Sequence, residues 1–83
     1  MFNQIIVVEG RHDEARIKEA FADCQCIITN GSEISRETLN IIKQLSLTHQ
    51  IVIFTDPDYP GERIRSKVLE IIPNALHAFI PKN

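Results

Sequence analysis

The sequence contains only two cysteines, Cys24 and Cys26, which form a single Cys-x-Cys pair. A structural zinc ion needs four ligands, and no second cysteine pair is present to complete such a set. If residues 24–29 form a strand, the alternation of its side chains places both sulfur atoms on one face. We therefore interpret the two residues as reduced thiols that pack as small apolar groups.

The sequence also lacks an excess of basic residues and any long apolar run. Nine lysines and arginines against eleven aspartates and glutamates give a formal net charge of -2, so bulk electrostatic attraction does not indicate a nucleic-acid partner. No apolar run approaches the roughly 18 residues of a membrane helix. The opening MFNQIIVVEG lacks the basic segment and the long apolar core of a signal peptide. We expect a cytoplasmic protein.

What is present is the composition of an ordinary globular domain. Hydrophobic residues make up 43% and charged residues 24% of the 83 residues. This composition is too apolar for a disordered tail, and the chain is too short to hold a second complete domain. We therefore expect residues 1–83 to form one folded domain with a thin margin of stability.

Apolar runs and helical patterns alternate along the chain. The runs at residues 4–8, 26–29, 50–55 and 75–80 predict short strands. Between these runs, three segments have apolar residues at helical spacing. The first covers residues 12–22, and the second begins at its cap Ser35 and has Thr38, Ile41, Ile42 and Leu45 on one face. The third carries Ile64, Val68, Ile71 and Ile72. This order predicts a Rossmann-like α/β fold with about four mostly parallel strands and helices on both faces.

Acidic residues follow two of the predicted strands where each strand ends. Glu9 follows the first strand, and Asp56 and Asp58 follow the third. Ligands bind outside the carboxyl ends of parallel strands, and in the flavodoxin-like order the first and third strands are neighbours. Clustered carboxylates repel one another unless protons or a cation neutralise them. The pattern predicts that these three acids bind Mg²⁺, which prefers carboxylate oxygens. The alternative is that they are ordinary polar residues at strand ends, with Asp58 serving the turn.

Four residues beside these acids have both a functional and a structural interpretation. Gly10 and Gly61 would leave room for a bulky ligand, or satisfy the dihedral angles of a turn. Asp13 would support the metal site, or stabilise the beginning of a helix. Arg11 would hold a phosphate group, or offset the local negative charge.

The order and spacing of these motifs resemble those of a known family. Glu9-Gly10 after a first strand, followed by Asp56-x-Asp58-x-x-Gly61 after a third, resembles the Toprim domain shared by topoisomerases, bacterial primases and several nucleases. Longer stretches are similar to the ribonuclease M5 family, namely residues 5–11, 29–32, 55–65 and 77–82. The resemblance spans nearly the whole chain.

This resemblance implies a magnesium-dependent endoribonuclease that cleaves phosphodiester bonds in the helical stem of precursor 5S ribosomal RNA. It also implies the 5S-binding protein of the large ribosomal subunit as a partner. Glu9, Asp56 and Asp58 occupy the acidic positions of the family, with Asp56 and Asp58 as direct metal ligands. Glu9 would ligate the metal, hold a metal-bound water or act as a general base.

Three basic residues, Arg63, Arg65 and Lys67, follow the acidic loop on a helix whose other face is apolar. In an RNA-cleaving protein they could contact the RNA backbone without reading its sequence; the alternative is a solvated helix face. Tyr59 could stack on a base or a sugar, or pack within its turn.

Two features depart from the family pattern. Topoisomerase-type Toprim domains carry a third aspartate where this chain has Pro60, which puts a full two-metal site in doubt. Members of the ribonuclease M5 family continue into further Toprim sequence and a C-terminal RNA-binding domain, so we expect residues 1–83 to be an incomplete Toprim catalytic domain. The alternatives are a Toprim fragment of another nuclease or primase-like protein, and a non-catalytic module that binds a cation or docks a partner.

Overall fold

The computed structural model describes residues 3–79, which form four strands and three helices in alternation. The strands are β1 (Gln4–Val8), β2 (Gln25–Ile28), β3 (Gln50–Thr55) and β4 (Leu76–Phe79). The helices are α1 (Arg11–Ala20), α2 (Arg36–Leu45) and α3 (Tyr59–Ile71). Every predicted element is found, with bounds that differ from the predictions by at most two residues at the strands and at α1. Ile80, which was predicted to end the last strand, lies outside the described residues.

The four strands form one parallel sheet in the order β2-β1-β3-β4. This arrangement confirms the predicted fold class. The first and third strands are neighbours, as the flavodoxin-like order requires, and Val7 lies beside Ile53 in their register. The carboxyl ends of β1 and β3 therefore lie side by side at one edge of the sheet.

Both faces of the sheet are covered by helices. Ile5 and Val7 of β1 belong to the larger core, which the sheet forms with α2 and α3. Val8 points to the opposite face, where it packs with Ile17 of α1 and with Cys24. Strands buried on both faces need apolar side chains at successive positions, which accounts for the unbroken apolar run of β1.

A side chain caps the beginning of α2, and one face of this helix is buried. Ser35 Oγ accepts a hydrogen bond of 3.1 Å from Thr38 N at the beginning of α2, which confirms the predicted cap. The predicted buried face of α2 is wrong at Ile41, which is 54% exposed, whereas Leu39 packs on the core. Ile41 lies about 100° around the helix from the buried Ile42, beyond the edge of the apolar face.

The cysteine pair packs on the face of the sheet that α1 covers. Cys24 and Cys26 are free thiols, and their Sγ atoms lie 3.9 Å apart. Burial, followed by the contact with Cys24, raises the pKa of Cys26 to about 12. The prediction of free thiols with apolar packing is confirmed, because Cys24 belongs to the smaller core and Cys26 packs against it.

α1 leaves part of its face of the sheet uncovered. A groove of about 200 Å³ runs beside the helix between Ile17, Phe21 and the strand residues Ile6 and Phe54.

Within residues 3–79, no helix is long and apolar enough to cross a membrane.

Candidate metal centre

The acidic residues predicted from the sequence lie at the carboxyl edge of the sheet. Since Val7 lies beside Ile53, Glu9 lies level with Thr55 and next to Asp56. The carbonyl oxygen of Glu9 accepts a hydrogen bond of 2.9 Å from Asn30 N. The loop after β2 is thereby joined to the end of β1, so that segments following three strands meet at this edge.

The pKa of Glu9 depends on its burial and on the acids near it. Burial is the main reason why the pKa of Glu9 is raised above its usual value, and the negative charges of Asp58, Asp13 and Asp56 raise it further, in that order. Repulsion of this kind requires carboxylates close to one another. The three predicted acids and Asp13 therefore lie in one neighbourhood, in which the charge of each of the others acts on Glu9.

Asp58 and Gly61 shape the loop between β3 and α3. Asp58 Oδ1 accepts a hydrogen bond of 2.9 Å from Gly61 N and caps α3. A Cβ atom added to Gly61 would lie 2.1 Å from the carbonyl oxygen of Asp56. Pro60 is accommodated in the first turn of α3, where its missing N–H would have no helical partner. Residue 61 must be glycine because any side chain there would collide with the backbone of Asp56.

Gly10 and Asp13 shape the loop between β1 and α1. Gly10 N donates a hydrogen bond of 3.2 Å to Asp13 Oδ2, so Asp13 stabilises the beginning of α1. Gly10 has an extended backbone, with φ -143, and a Cβ added there would meet nothing within 4 Å. The space beside Gly10, the residue after Glu9, is therefore open.

The oxygens available to a metal ion are those of Glu9 and Asp56, together with one oxygen each of Asp13 and Asp58. Within residues 3–79, the carboxylates of Glu9 and Asp56 accept no hydrogen bond from protein, whereas Asp13 and Asp58 each use one oxygen in a helix cap. In the same part of the chain, no three His, Cys, Asp or Glu side chains lie close enough to hold a metal ion between them. A magnesium ion keeps several water ligands and needs only one or two carboxylates. The donor set therefore fits a largely hydrated Mg²⁺.

Arg65 is a structural residue, and its predicted role in RNA contact is wrong. Its side chain is 3% exposed, and burial lowers the pKa of its guanidinium. It donates hydrogen bonds to the carbonyl oxygens of Ile53, Thr55 and Ala78, and its Nη1 lies 2.8 Å from His77 Nδ1. The physical reason is its position on α3, because Gly61, Ile64, Arg65 and Val68 form the buried face of that helix.

Arg63 lies on the outside of α3 and has two partners. Its Nη2 forms an ion pair of 2.8 Å with Glu33 Oε2, and its Nη1 donates to the hydroxyl of Tyr59 over 3.3 Å. Its guanidinium carbon lies 5.9 Å from the centre of the Tyr59 ring. Lys67 and Arg63 line a shallow groove of about 330 Å³ along this helix.

The remaining predicted RNA-binding residue, Arg11, is exposed at the beginning of α1. Sequence reasoning missed Glu33, which carries no motif.

The Toprim domain family matches residues 4–82 of this sequence. The chain belongs to the Toprim family. Toprim domains generally bind a divalent metal ion. The predicted recognition is thereby confirmed.

Curated relatives of this Toprim domain are named Ribonuclease M5. The protein from Bacillus subtilis is 49% identical over 96% of this chain and 42% of its own length. The protein from Lactococcus lactis is 46% identical over 98% of this chain and 39% of its own length. The protein from Staphylococcus aureus is 42% identical over 96% of this chain and 44% of its own length. The chain thus spans about two fifths of the length of these relatives.

A solved structure has the same fold. The small Toprim domain protein from Bacillus stearothermophilus superimposes with a TM-score of 0.74 at 27% sequence identity, over 98% of this chain and 69% of that one. The alternation of strands and helices is therefore that of a Toprim domain.

Proposed function

We propose that this Toprim domain is the catalytic domain of a magnesium-dependent endoribonuclease that cleaves the stem of precursor 5S ribosomal RNA. The observation that supports it is the convergence of Glu9 with Asp56 and Asp58 at the carboxyl ends of the neighbouring strands β1 and β3. The convergence occurs in a chain that is 42% to 49% identical to proteins named Ribonuclease M5. The substrate is taken from that similarity, and the chemistry from the acids.

Hydrolysis of the phosphodiester bond would use both the metal ion and the acidic side chains. A bound Mg²⁺ would activate a water and stabilise the charge on the attacking and leaving oxygens. Asp56 and the second oxygen of Asp58 would hold the ion at the carboxyl edge of the sheet. Glu9 holds a proton more readily than an ordinary glutamate, which suits it to take a proton from the attacking water or to hold that water in place.

Binding of the RNA needs more than this domain's overall charge. Its formal net charge of -2 gives no general attraction to a polyanion. We propose that a C-terminal RNA-binding domain of the kind found in the ribonuclease M5 family, and the 5S-binding ribosomal protein, bring the substrate to the acidic edge. Such a substrate implies a cytoplasmic location.

The test is cleavage of precursor 5S RNA with and without Mg²⁺. We expect cutting that EDTA abolishes and that Glu9→Gln, Asp56→Asn or Asp58→Asn each reduces by at least about 100-fold. Asparagine is chosen at residue 58 because it still caps a helix. Asp23→Asn removes an exposed acid from the turn between α1 and β2, and its cleavage should match that of the unmodified chain. Cleavage that survived Asp56→Asn and Asp58→Asn would refute the acidic-site mechanism.

A second candidate is a module that binds a cation without catalysing cleavage. It is favoured by the lack of a ready three-ligand group within residues 3–79 and by Pro60 at the position of the third aspartate. Magnesium titration followed by calorimetry separates the two functions. Binding that Asp56→Asn abolishes, without cleavage by the chain or by a longer form with an RNA-binding domain, would establish the second candidate.

A further inference from the structure

We propose that Arg63 binds a phosphate group of the RNA backbone beside the acidic edge, and that Glu33 competes with the RNA for this arginine. The inference rests on the proposed function and deepens it, because it assigns a substrate contact to one residue and a competing role to another. Neither role follows from the acidic motifs.

The position of Arg63 is the first argument. Tyr59 directly follows Asp58 at the beginning of α3, and Arg63 lies one turn further along, where it donates to the Tyr59 hydroxyl. Glu33 belongs to the loop after β2, which is joined to Glu9 through the hydrogen bond from Asn30 N. Arg63 and its two partners therefore lie at the same edge of the sheet as the acids.

The exposure of the ion pair is the second argument. The side chain of Glu33 is 80% exposed and that of Arg63 is 39% exposed. An ion pair between exposed side chains contributes little to stability, because water and salt screen it. A phosphate group can accept two parallel hydrogen bonds from a guanidinium. RNA can therefore displace Glu33 at little cost to the fold.

The third argument is the fate of the other arginine on this helix. Arg65 is held by the carbonyl oxygens of β3 and β4 and is buried, so it cannot reach a ligand. The Tyr59 ring and hydroxyl hold the guanidinium of Arg63 near the acidic loop. An RNA strand that approaches several carboxylates needs a positive group beside them, and Arg63 supplies one there.

The experiment measures equilibrium binding of a fluorescently labelled RNA duplex to the 83-residue chain, in EDTA, over a series of salt concentrations. Arg63→Gln should weaken binding about tenfold and reduce the slope of log affinity against log salt by about 1. Glu33→Gln should strengthen binding roughly threefold, because it releases Arg63. In the Arg63→Gln background, Glu33→Gln should have no more effect than a distant change of the same charge.

Two control variants carry the same charge changes at the opposite edge of the sheet. Lys43 lies in the last turn of α2 and Glu19 near the end of α1, and both are exposed. Lys43→Gln and Glu19→Gln report the effect of net charge alone. Thermal unfolding of every variant verifies that all of them are folded.

The outcomes distinguish this inference from the proposed function. If the unmodified chain binds the duplex but Arg63→Gln behaves like Lys43→Gln, the assignment of Arg63 is wrong and the proposed function stands. If Glu33→Gln gains no more affinity than Glu19→Gln, competition by Glu33 is wrong. If the unmodified chain binds no RNA at the lowest salt concentration, while a longer form binds and cleaves precursor 5S RNA, the inference fails and the function stands. If neither form binds or cleaves, both are refuted.

Discussion

Gly61 shows how a single residue sets the geometry of the acidic loop. A methyl group at this position would lie 2.1 Å from the Asp56 carbonyl oxygen and 3.1 Å from both Asp58 Oδ1 and Thr55 Oγ1. Two of these three contacts belong to the proposed metal-binding residues. A side chain at residue 61 would push the acids apart, so the glycine serves both the fold and the site.

We expect Gly61→Ala to lower the free energy of unfolding by about 2 kcal/mol, because overpacking a tight site costs on the order of 1 to 3 kcal/mol. For a domain of this size the loss corresponds to a melting temperature lower by roughly 10 °C. Gly10→Ala is the matched control, since a Cβ there meets nothing within 4 Å. Calorimetry of both variants checks the prediction. Equal melting temperatures for the two would show that the loop relaxes around the methyl group.

At the scale of the elements, Arg65 joins α3 to the strands beneath it. Its guanidinium bonds to carbonyl oxygens of β3 and β4, and to the ring of His77. A guanidinium can only donate hydrogen bonds, so Nδ1 of His77 accepts. The carboxyl end of β3, from which Asp56 follows, is thereby held against the helix that Asp58 caps.

Replacing Arg65 with methionine should lower the free energy of unfolding by about 3 kcal/mol, because buried carbonyl oxygens lose their donor at a cost of about 1 to 3 kcal/mol each. Lys67→Met, which removes the same charge on the same helix, should change stability by less than about 0.5 kcal/mol. Urea unfolding followed by circular dichroism measures both values. Stability of Arg65→Met close to that of Lys67→Met would contradict the structural role.

The bounds of the strands and helices and the burial of their residues were predictable from the sequence to different degrees. The strand bounds followed from short apolar runs, and the cap of α2 from Ser35. The burial of Arg65 could have been found, because Gly61 lies four residues before it and Val68 three residues after it, on the buried face of the helix. It was missed because charge was given more weight than position on the helix. The ion pair of Arg63 with Glu33 had no such signal, since 30 residues separate its partners.

At the scale of the whole molecule, strand order creates the acidic site. The alternation of strands and helices, with the rule that ligands bind where neighbouring parallel strands end, was sufficient to place Glu9 beside Asp56. Asp13 was harder to assign, because its effect on Glu9 depends on how α1 leaves β1. Glu9 is buried among these acids, and repelled by Asp56 and Asp58, only when β1 and β3 are paired, so this strain is a property of the folded chain.

That strain should appear as a dependence of stability on pH. Burial, and then the charges of Asp58, Asp13 and Asp56, raises the pKa of Glu9 above its ordinary value of 4.5, so the folded state binds this proton more tightly than the unfolded state does. The free energy of unfolding therefore falls as pH rises from about 4.5 through the folded pKa. Glu9→Gln should remove this fall and make the domain more stable than the unmodified chain at pH 7, by less than about 1 kcal/mol because solvent screens the partly exposed group. Glu19→Gln is the control.

Binding of Mg²⁺ should offset the repulsion between Glu9 and the acids around it, and so stabilise the fold. A cation that binds only the folded state raises the melting temperature, by more when its affinity is higher, and protons compete with it for Glu9. We expect Mg²⁺ to stabilise the unmodified chain at pH 7 and to lose most of this effect well below pH 4.5, where Glu9 is protonated in both states. Glu9→Gln and Asp56→Asn should each weaken the stabilisation at pH 7. Calorimetric scans with and without Mg²⁺ at both pH values decide it, because a magnesium effect that is equal at both would place the ion away from Glu9.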